Sequence, residues 1–288
     1  MFMKHGLADL ALARRLEGCS AWAGAESARV LSRKNPASGA EVEFIGGGVA
    51  AWFGRGSPLS QAQGLGLEGP VTPEDLDRLD AFFLGRGAAA SIEVSSLADP
   101  SLLPALCQRG YVVAEQTHML ARPAVLERGL AFAESDGLSV ARIADDDEAG
   151  HATLAEAVLR GFFEGPGEPP EGIREIMGGM TAAPGSSGWL ARVDSEPAGG
   201  AVMIAYQGVC LFAGDATMPD RRRCGVQSAL IRARLGHAES IGCDRVAACT
   251  VPGSISQRNY ERQGFRVVYA RTLMVREPGP DPALGSGA

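Results

Sequence analysis

An apolar stretch, Leu211-Phe212-Ala213-Gly214-Asp215-Ala216-Thr217-Met218, runs into a polar turn, Pro219-Asp220-Arg221-Arg222-Arg223-Cys224-Gly225-Val226-Gln227. From Val226 on, Val226, Ala229, Leu230 and Ala233 fall on one face at helical spacing. Strand, Arg/Gly turn and helix start, in that order, build a pocket for a diphosphate. The first N–H groups of a helix have no partner inside it, and the helix dipole places positive charge at the same end. A ligand carrying a diphosphate narrows the chemistry to a few classes.

The elements that must hold this turn come from a chain of 288 residues, long enough for two ordinary domains or one large one. Hydrophobic residues make up 45% and charged residues 21%, the balance of a folded soluble protein. The formal charge of −7 argues against general affinity for nucleic acid or an anionic membrane, so Arg221-Arg222-Arg223 stands out locally. Cys19, Cys107, Cys210, Cys224, Cys243 and Cys249 form no CxxC pair, and with four scattered histidines no metal spacing can be drawn. Sparse cysteines in a chain this large read as reduced thiols and a cytoplasmic protein. Asp9, Arg14, Arg15 and Glu17 interrupt the amphipathic Leu7–Leu16 segment, which excludes a signal-peptide core there. No run approaches the roughly 20 apolar residues that span a bilayer.

An internal echo organises the chain. Gly110-Tyr111-Val112-Val113, leading to Met119-Leu120-Ala121-Arg122, matches Gly264-Phe265-Arg266-Val267, leading to Leu273-Met274-Val275-Arg276, at an offset of 154 residues. The same offset lays Ser91-Ile92-Glu93-Val94 on Arg245-Val246-Ala247-Ala248 and a helix over Pro73–Arg86 on Val226–Ser240. Two copies of one unit follow. The expected division is a first unit at 1–125, a linker at 126–137, a second unit at 138–276 and a disordered Pro/Gly-rich tail at 277–288.

Within the second unit the patterns predict a strand at Leu138–Ile143, then a helix over Asp145–Phe163 capped by Asp145. A Pro/Gly loop over Gly165–Gly172 and a helix over Ile173–Met180 come next. Strands follow at Trp189–Asp194, Ala198–Tyr206 and Val209–Met218, with Glu196-Pro197 as the first turn. A helix over Val226–Ser240, a buried strand at Arg245–Thr250 and a helix over Ile255–Gln263 stopped by Gly264 lead to the closing strand or strands over Phe265–Arg276. The order β-α-α-β-β-β-α-β-α-β gives an α+β fold of three layers. Its sheet is mixed, mostly antiparallel and flanked by helices.

That element order, the turn Arg222-x-x-Gly225-x-Gln227 and the later Ser256-Gln257-Arg258-Asn259-Tyr260-Glu261-Arg262-Gln263-Gly264-Phe265 resemble the GNAT superfamily of N-acetyltransferases. The likeness covers roughly Leu138 to Arg276, with the first unit a faint, degenerate relative of the same acyl-CoA N-acyltransferase fold. The family turn reads Gln/Arg-x-x-Gly-x-Gly/Ala; Arg222 and Gly225 fit it and Gln227 departs. Gly225 lets the backbone approach phosphate without a Cβ in the way.

The resemblance implies acetyl-CoA as cosubstrate. Its diphosphate would meet the amides of Arg223, Cys224, Gly225, Val226, Gln227 and Ser228, with Arg222 and Arg223 adding charge. Its pantetheine arm would pair with Ala216-Thr217-Met218, which requires neighbouring strands to splay there. Tyr260 takes the place of a proton donor to the departing thiolate. The family's pantetheine-holding Asn is replaced by Gly253, leaving Ser256 or Asn259 to compensate. Asp215 is the nearest carboxylate for removing the amine proton, with Glu164 as a weaker candidate. Cys224 beside three arginines could be read as a nucleophile, but its position presents it to phosphate. His151 and His237 lie on helix patterns as ordinary histidines.

In the first unit Gly69-Pro70-Val71-Thr72 falls where the arginine turn lies in the second, and Leu106 falls where Tyr260 does. That half is expected not to bind CoA but to extend the fold, cover the second unit or shape an acceptor groove. The leading reading is acetyl transfer to a primary amine, small molecule or peptide, by direct attack in a ternary complex. A non-catalytic CoA-binding sensor or partner-binding module is the alternative. Neither nucleic acid nor membrane is expected as partner, and monomer and homodimer both stay open.

Overall fold

The computed structural model describes residues 9–125, 137–163 and 172–279. Its first half opens with a long helix, α1 (Leu10–Lys34), capped by Asp9 Oδ1, which accepts from the Leu12 amide at 2.8 Å. The strands β1 (Glu41–Ile45), β2 (Gly48–Trp52) and β3 (Gln61–Gln63) follow, then α2 (Pro73–Leu84), β4 (Ala90–Ser95), α3 (Leu102–Gln108) and β5 (Val112–Pro123). The second half begins with β6 (Leu138–Arg142), α4 (Glu148–Phe162) and α5 (Ile173–Ala182). Next come β7 (Ser186–Val193), β8 (Glu196–Tyr206), β9 (Val209–Thr217), α6 (Val226–Ser240), β10 (Arg245–Thr250), α7 (Ile255–Arg262) and β11 (Arg266–Arg276). The expected order of the second half is therefore present, and both halves run strand, strand, strand, helix, strand, helix, strand from β1 and from β7.

Several boundaries differ from expectation: β7 already starts at Ser186 and α5 runs on to Ala182. Asp147 caps α4, its Oδ1 accepting from the Gly150 amide at 2.8 Å, because Asp145 is drawn to Arg142 at 2.6 Å instead. The hairpin from β7 to β8 turns at Asp194 and Ser195, whose φ values of 51° and 70° suit a tight primed turn; Glu196 and Pro197 already lie in β8. As expected, Gly264 ends α7 in the left-handed region at φ 83°. Glu164, the Gly165–Gly172 loop up to its last residue, most of the linker and residues 280–288 of the tail lie outside the described residues.

All eleven strands form one sheet in the order β1-β2-β3-β4-β11-β5-β10-β9-β8-β7-β6. The final strands of the halves are exchanged: β5 lies against β10 and β11 lies against β4, and the two long strands pair with each other. In each half a short parallel pair, β3 with β4 and β9 with β10, precedes this seam. The apolar face of α1 is mostly small (Ala13, Cys19, Ala23, Ala28), which lets a long helix lie close. It packs with α4, α5 and the sheet, while Leu230, Ile231 and Leu235 of α6 cover the other face with Tyr260 and Phe265.

Two local features open a gap. Parallel pairing of β9 with β10 runs from Val209–Arg245 to Phe212–Ala248 and stops, although both strands continue. On its other side β9 carries one residue more than β8 between the pairs Val202–Ala213 and Gly200–Ala216. Gly214, at φ 62°, absorbs this bulge, and Asp215 is re-aimed by it.

Candidate functional site

The gap leads into a cleft of about 740 Å³ at the start of α6. Asp215, Ala216 and Thr217 of β9 form one wall. Arg222, Arg223 and Gly225 of the turn, with Val226, Gln227 and Ser228 of the first helical turn, form the end. Ser256 and Asn259 of α7 close the side. The sequence singled these residues out for one cofactor, and Asp215 for the amine proton, and the fold brings them to one space.

Gly225 caps α6 in the left-handed conformation, φ 78° and ψ 2°, and no side chain accepts from the helix start. A Cβ at Gly225 would meet only Leu138 Cδ2, at 3.8 Å, so the strain of a larger residue lies in the backbone and the intrusion in the cleft. No acidic residue occupies the first turn. The contrast with α2 is direct. There Thr72 Oγ1 accepts from the Asp75 amide at 3.1 Å, Pro73 removes a donor, and Glu74 and Asp75 bring negative charge. The first half's helix start is already satisfied and repels anions; the second half's is open to one.

Gln227, the departure from the family turn, points its side chain across to α7. Its Nε2 donates to Ser256 Oγ at 2.9 Å and its Oε1 accepts from Asn259 Nδ2 at 2.7 Å. The first-turn amide of Gln227 still belongs to the helix start, while its side chain ties α6 to α7.

Two cofactor candidates stand apart from the cleft. Met218 is buried in the core beside α4, and its amide donates to Ala198 O at 2.9 Å, which continues the β8–β9 ladder. Its N–H is therefore not offered to a pantetheine arm. Cys224 is exposed, its Sγ 3.7 Å from Arg222 O, and does not line the cleft.

Behind Asp215 lies a buried group the sequence did not announce. Arg234 of α6, with 0% exposure, donates from Nη1 to Asp215 Oδ2 at 3.1 Å and from Nη2 to Asp215 Oδ1. Its remaining bonds go to Leu230 O and Val202 O, each at 3.1 Å, and its guanidinium lies 4.2 Å from the centre of the Phe212 ring. Burial opposes charge on Arg234, but Asp215 and Tyr260 outweigh it and hold its pKa above the ordinary value. Tyr260, 2% exposed, donates its hydroxyl to Asp215 Oδ2 at 2.8 Å. Burial first, and then the Asp215 carboxylate, push this phenol well above its ordinary range, with Arg234 pulling the other way. Tyr260 thus stands behind Asp215 and does not itself line the cleft. The two residues assigned separate proton tasks are one hydrogen-bonded unit.

Sequence reasoning also missed Gly161 and Thr250. A Cβ at Gly161 of α4 would lie 2.7 Å from Ala216 Cβ, so a glycine is needed where α4 crosses the cleft wall. Thr250 Oγ1, at the end of β10, is buried without a hydrogen-bond partner among the described residues. Gly161 leaves a signal, an isolated glycine within an apolar helix pattern. For Arg234 the signal is its place on the face of Val226 and Leu230 at successive four-residue steps. Among the described residues no helix is long and apolar enough to cross a membrane, and no cluster of side chains could hold a metal ion.

Residues 153–265 match the model of the acetyltransferase (GNAT) family, a span holding β9, the arginine turn, α6 and α7. The chain is similar in structure to a GCN5-related N-acetyltransferase from Kribbella flavida, with TM-score 0.58 and 21% identity over 89% of this chain and 97% of that one. It is also similar to a tandem GNAT protein from the clavulanic acid biosynthesis pathway, with TM-score 0.61 and 13% identity over 94% and 95% of the two chains. At these identities the structural likeness establishes the fold. No curated protein matches the chain. The GNAT match thus falls in the second half of a duplicated GNAT-like fold, and it supports acyl-transfer activity in general.

Proposed function

We propose that the GNAT domain moves an acetyl group from acetyl-CoA to a primary amine by direct attack in a ternary complex. The observation that carries this reading is the uncapped, glycine-led start of α6 opening into a cleft with Arg222 and Arg223 at its mouth. The diphosphate sits on the amides of Val226, Gln227 and Ser228. The pantetheine arm follows the free edge of β9 at Ala216 and Thr217, where β10 has turned away. That brings the thioester toward the bulge at Gly214 and Asp215.

The amine nitrogen forms a bond to the acetyl carbon, the carbon–sulfur bond breaks, and the electron pair leaves on sulfur. In this reading Asp215 takes the proton that the nitrogen sheds and returns it to the thiolate. Three hydrogen bonds from Arg234 and Tyr260 fall on its two oxygens and fix its orientation, and a carboxylate has room for a fourth partner. Tyr260 is a positioning residue for Asp215. We retain the division near residues 126–137 as part of the proposal, with the cofactor site confined to the second half.

Calorimetry with acetyl-CoA, run beside a thiol-release assay over a panel of amines, tests the reading. Saturable binding with amine-dependent thiol release is expected. Absence of binding overturns it. Binding without release on any amine leaves a CoA-binding module, the role that the Gln227 and Gly253 departures would suit.

A further inference from the structure

A second cavity, of about 280 Å³, lies under α1 and draws its walls from both halves. It meets the cofactor cleft along β9: Ala213 and Gly214 line this cavity, and Asp215, Ala216 and Thr217 line the cleft. The two spaces therefore approach each other on neighbouring residues of β9 at the bulge, where the acetyl group is delivered in the proposed reaction.

The far end of this cavity is charged. Only Glu93 and Arg271 carry charge among its lining residues. Arg271, 2% exposed, gives Nε and Nη2 to Glu17 at 2.8 and 3.0 Å and Nη1 to Glu93 Oε2 at 2.7 Å. Glu17 is fully buried and also accepts from Tyr269 at 2.8 Å. Gln63 Nε2 donates to Glu93 Oε2 at 2.8 Å. Both bonds to Glu93 fall on Oε2, and Oε1 takes none among the described residues. Two carboxylates face one guanidinium, and the partly exposed Glu93 turns a carboxylate oxygen without a donor toward the cavity. A cation in the cavity supplies the missing charge.

Position sets a further requirement. Glu93 lies on β4, and β11, β5 and β10 stand between β4 and β9. At ~4.8 Å per strand the carboxylate is well beyond hydrogen-bond reach of the bulge. The cation held by Glu93 is therefore not the nitrogen that is acetylated.

We propose that this cavity is the acceptor pocket and that it takes an extended, linear amine with two basic centres, one held by Glu93 and the other presented at Gly214. The inference rests on the acetyl-transfer reading above. It gives the half without a cofactor turn a role in choosing the substrate.

The test compares linear α,ω-diamines with monoamines of matched length, by thiol release and by calorimetry on the CoA-saturated protein. Diamines of one length range are expected to show KM at least ~10-fold below the matched monoamines, one decade being about 1.4 kcal/mol. Glu93→Gln is expected to erase that preference and diamine binding while acetyl-CoA affinity holds. In that variant Arg271 keeps its pair with Glu17, which protects the fold. Gly24→Leu is the second variant. A Cβ at Gly24 meets only Gln63 Oε1 at 3.9 Å and Ala51 Cβ at 4.0 Å, and replacing a helical glycine favours α1, so the larger side chain fills the cavity from the helix. It should abolish diamine binding in a protein that melts no lower than wild type. Normal acetyl-CoA binding with a diamine preference absent, or unchanged in both variants, overturns this inference and leaves acetyl transfer standing. Failure of acetyl-CoA to bind overturns both.

Discussion

The Tyr260 hydroxyl donates to Asp215 Oδ2 at 2.8 Å, and through that bond a residue outside the cleft governs one that lines it. Tyr260→Phe removes the donor and leaves the ring against Phe265, at 4.9 Å between centres. The expected result is a fall in kcat of about tenfold, an unchanged Kd for acetyl-CoA, and a shifted pH–rate profile as Asp215 loses a hydrogen bond. Stability should drop by about 1–2 kcal/mol. An unaltered rate and profile would show that Asp215 does not depend on Tyr260.

Arg234 and Asp215 form an ion pair with one member fully buried. Removing one partner strands a charge, which costs about 3–5 kcal/mol. Arg234→Met and Asp215→Leu should each lower the denaturation midpoint sharply. The double variant should lose much less than the sum, because no uncompensated charge remains. Additive losses in urea titrations would mean that the pair contributes no coupling.

Gly225→Val places a β-branched residue at φ 78° and a side chain in the cleft. The backbone conformation costs on the order of 1–3 kcal/mol. Losing charge-assisted bonds to phosphate should weaken acetyl-CoA by about 100-fold or more. Calorimetry on a variant shown by circular dichroism to be folded measures this. Undiminished affinity would remove the diphosphate from the α6 start.

Tyr111, Tyr260 and Tyr269 all have phenols raised above the ordinary range, burial being the largest cause in each, followed by Asp80, Asp215 and Glu17 respectively. Below pH ~10 the unfolded chain's tyrosines are neutral as well, so these groups leave stability unaffected there. Above it the unfolded chain releases protons that the folded chain keeps, and stability falls as pH rises. Phenolate absorbance should therefore show three of the four tyrosines ionising together with unfolding. Their independent ionisation in the folded protein would contradict the burial of these hydroxyls.

Much of the second half is legible in the sequence because its signals are local. Gly225 and the helix spacing after it mark the α6 start, and Gly264 marks the α7 end. The offset repeat exposes the duplication, since paired apolar runs survive where chemistry has changed. What escapes is set by partners distant in the chain. Met218 reads as a strand end facing a ligand, yet Ala198 takes its amide. The partners of Glu17 and Glu93 are unreadable because Arg271 meets them across 254 and 178 residues. Nor does any local pattern show that the last strand of each half belongs beside the other half.

The exchange of β5 and β11 has a consequence during synthesis. A ribosome releases the chain from its N-terminus, so β4 and β5 emerge long before β11, the strand that lies between them in the finished sheet. For most of translation the first half waits with β4 unpaired on one side and β5 on both. Trigger factors and other nascent-chain chaperones should therefore engage this protein late and let go only once its closing strand has cleared the exit tunnel.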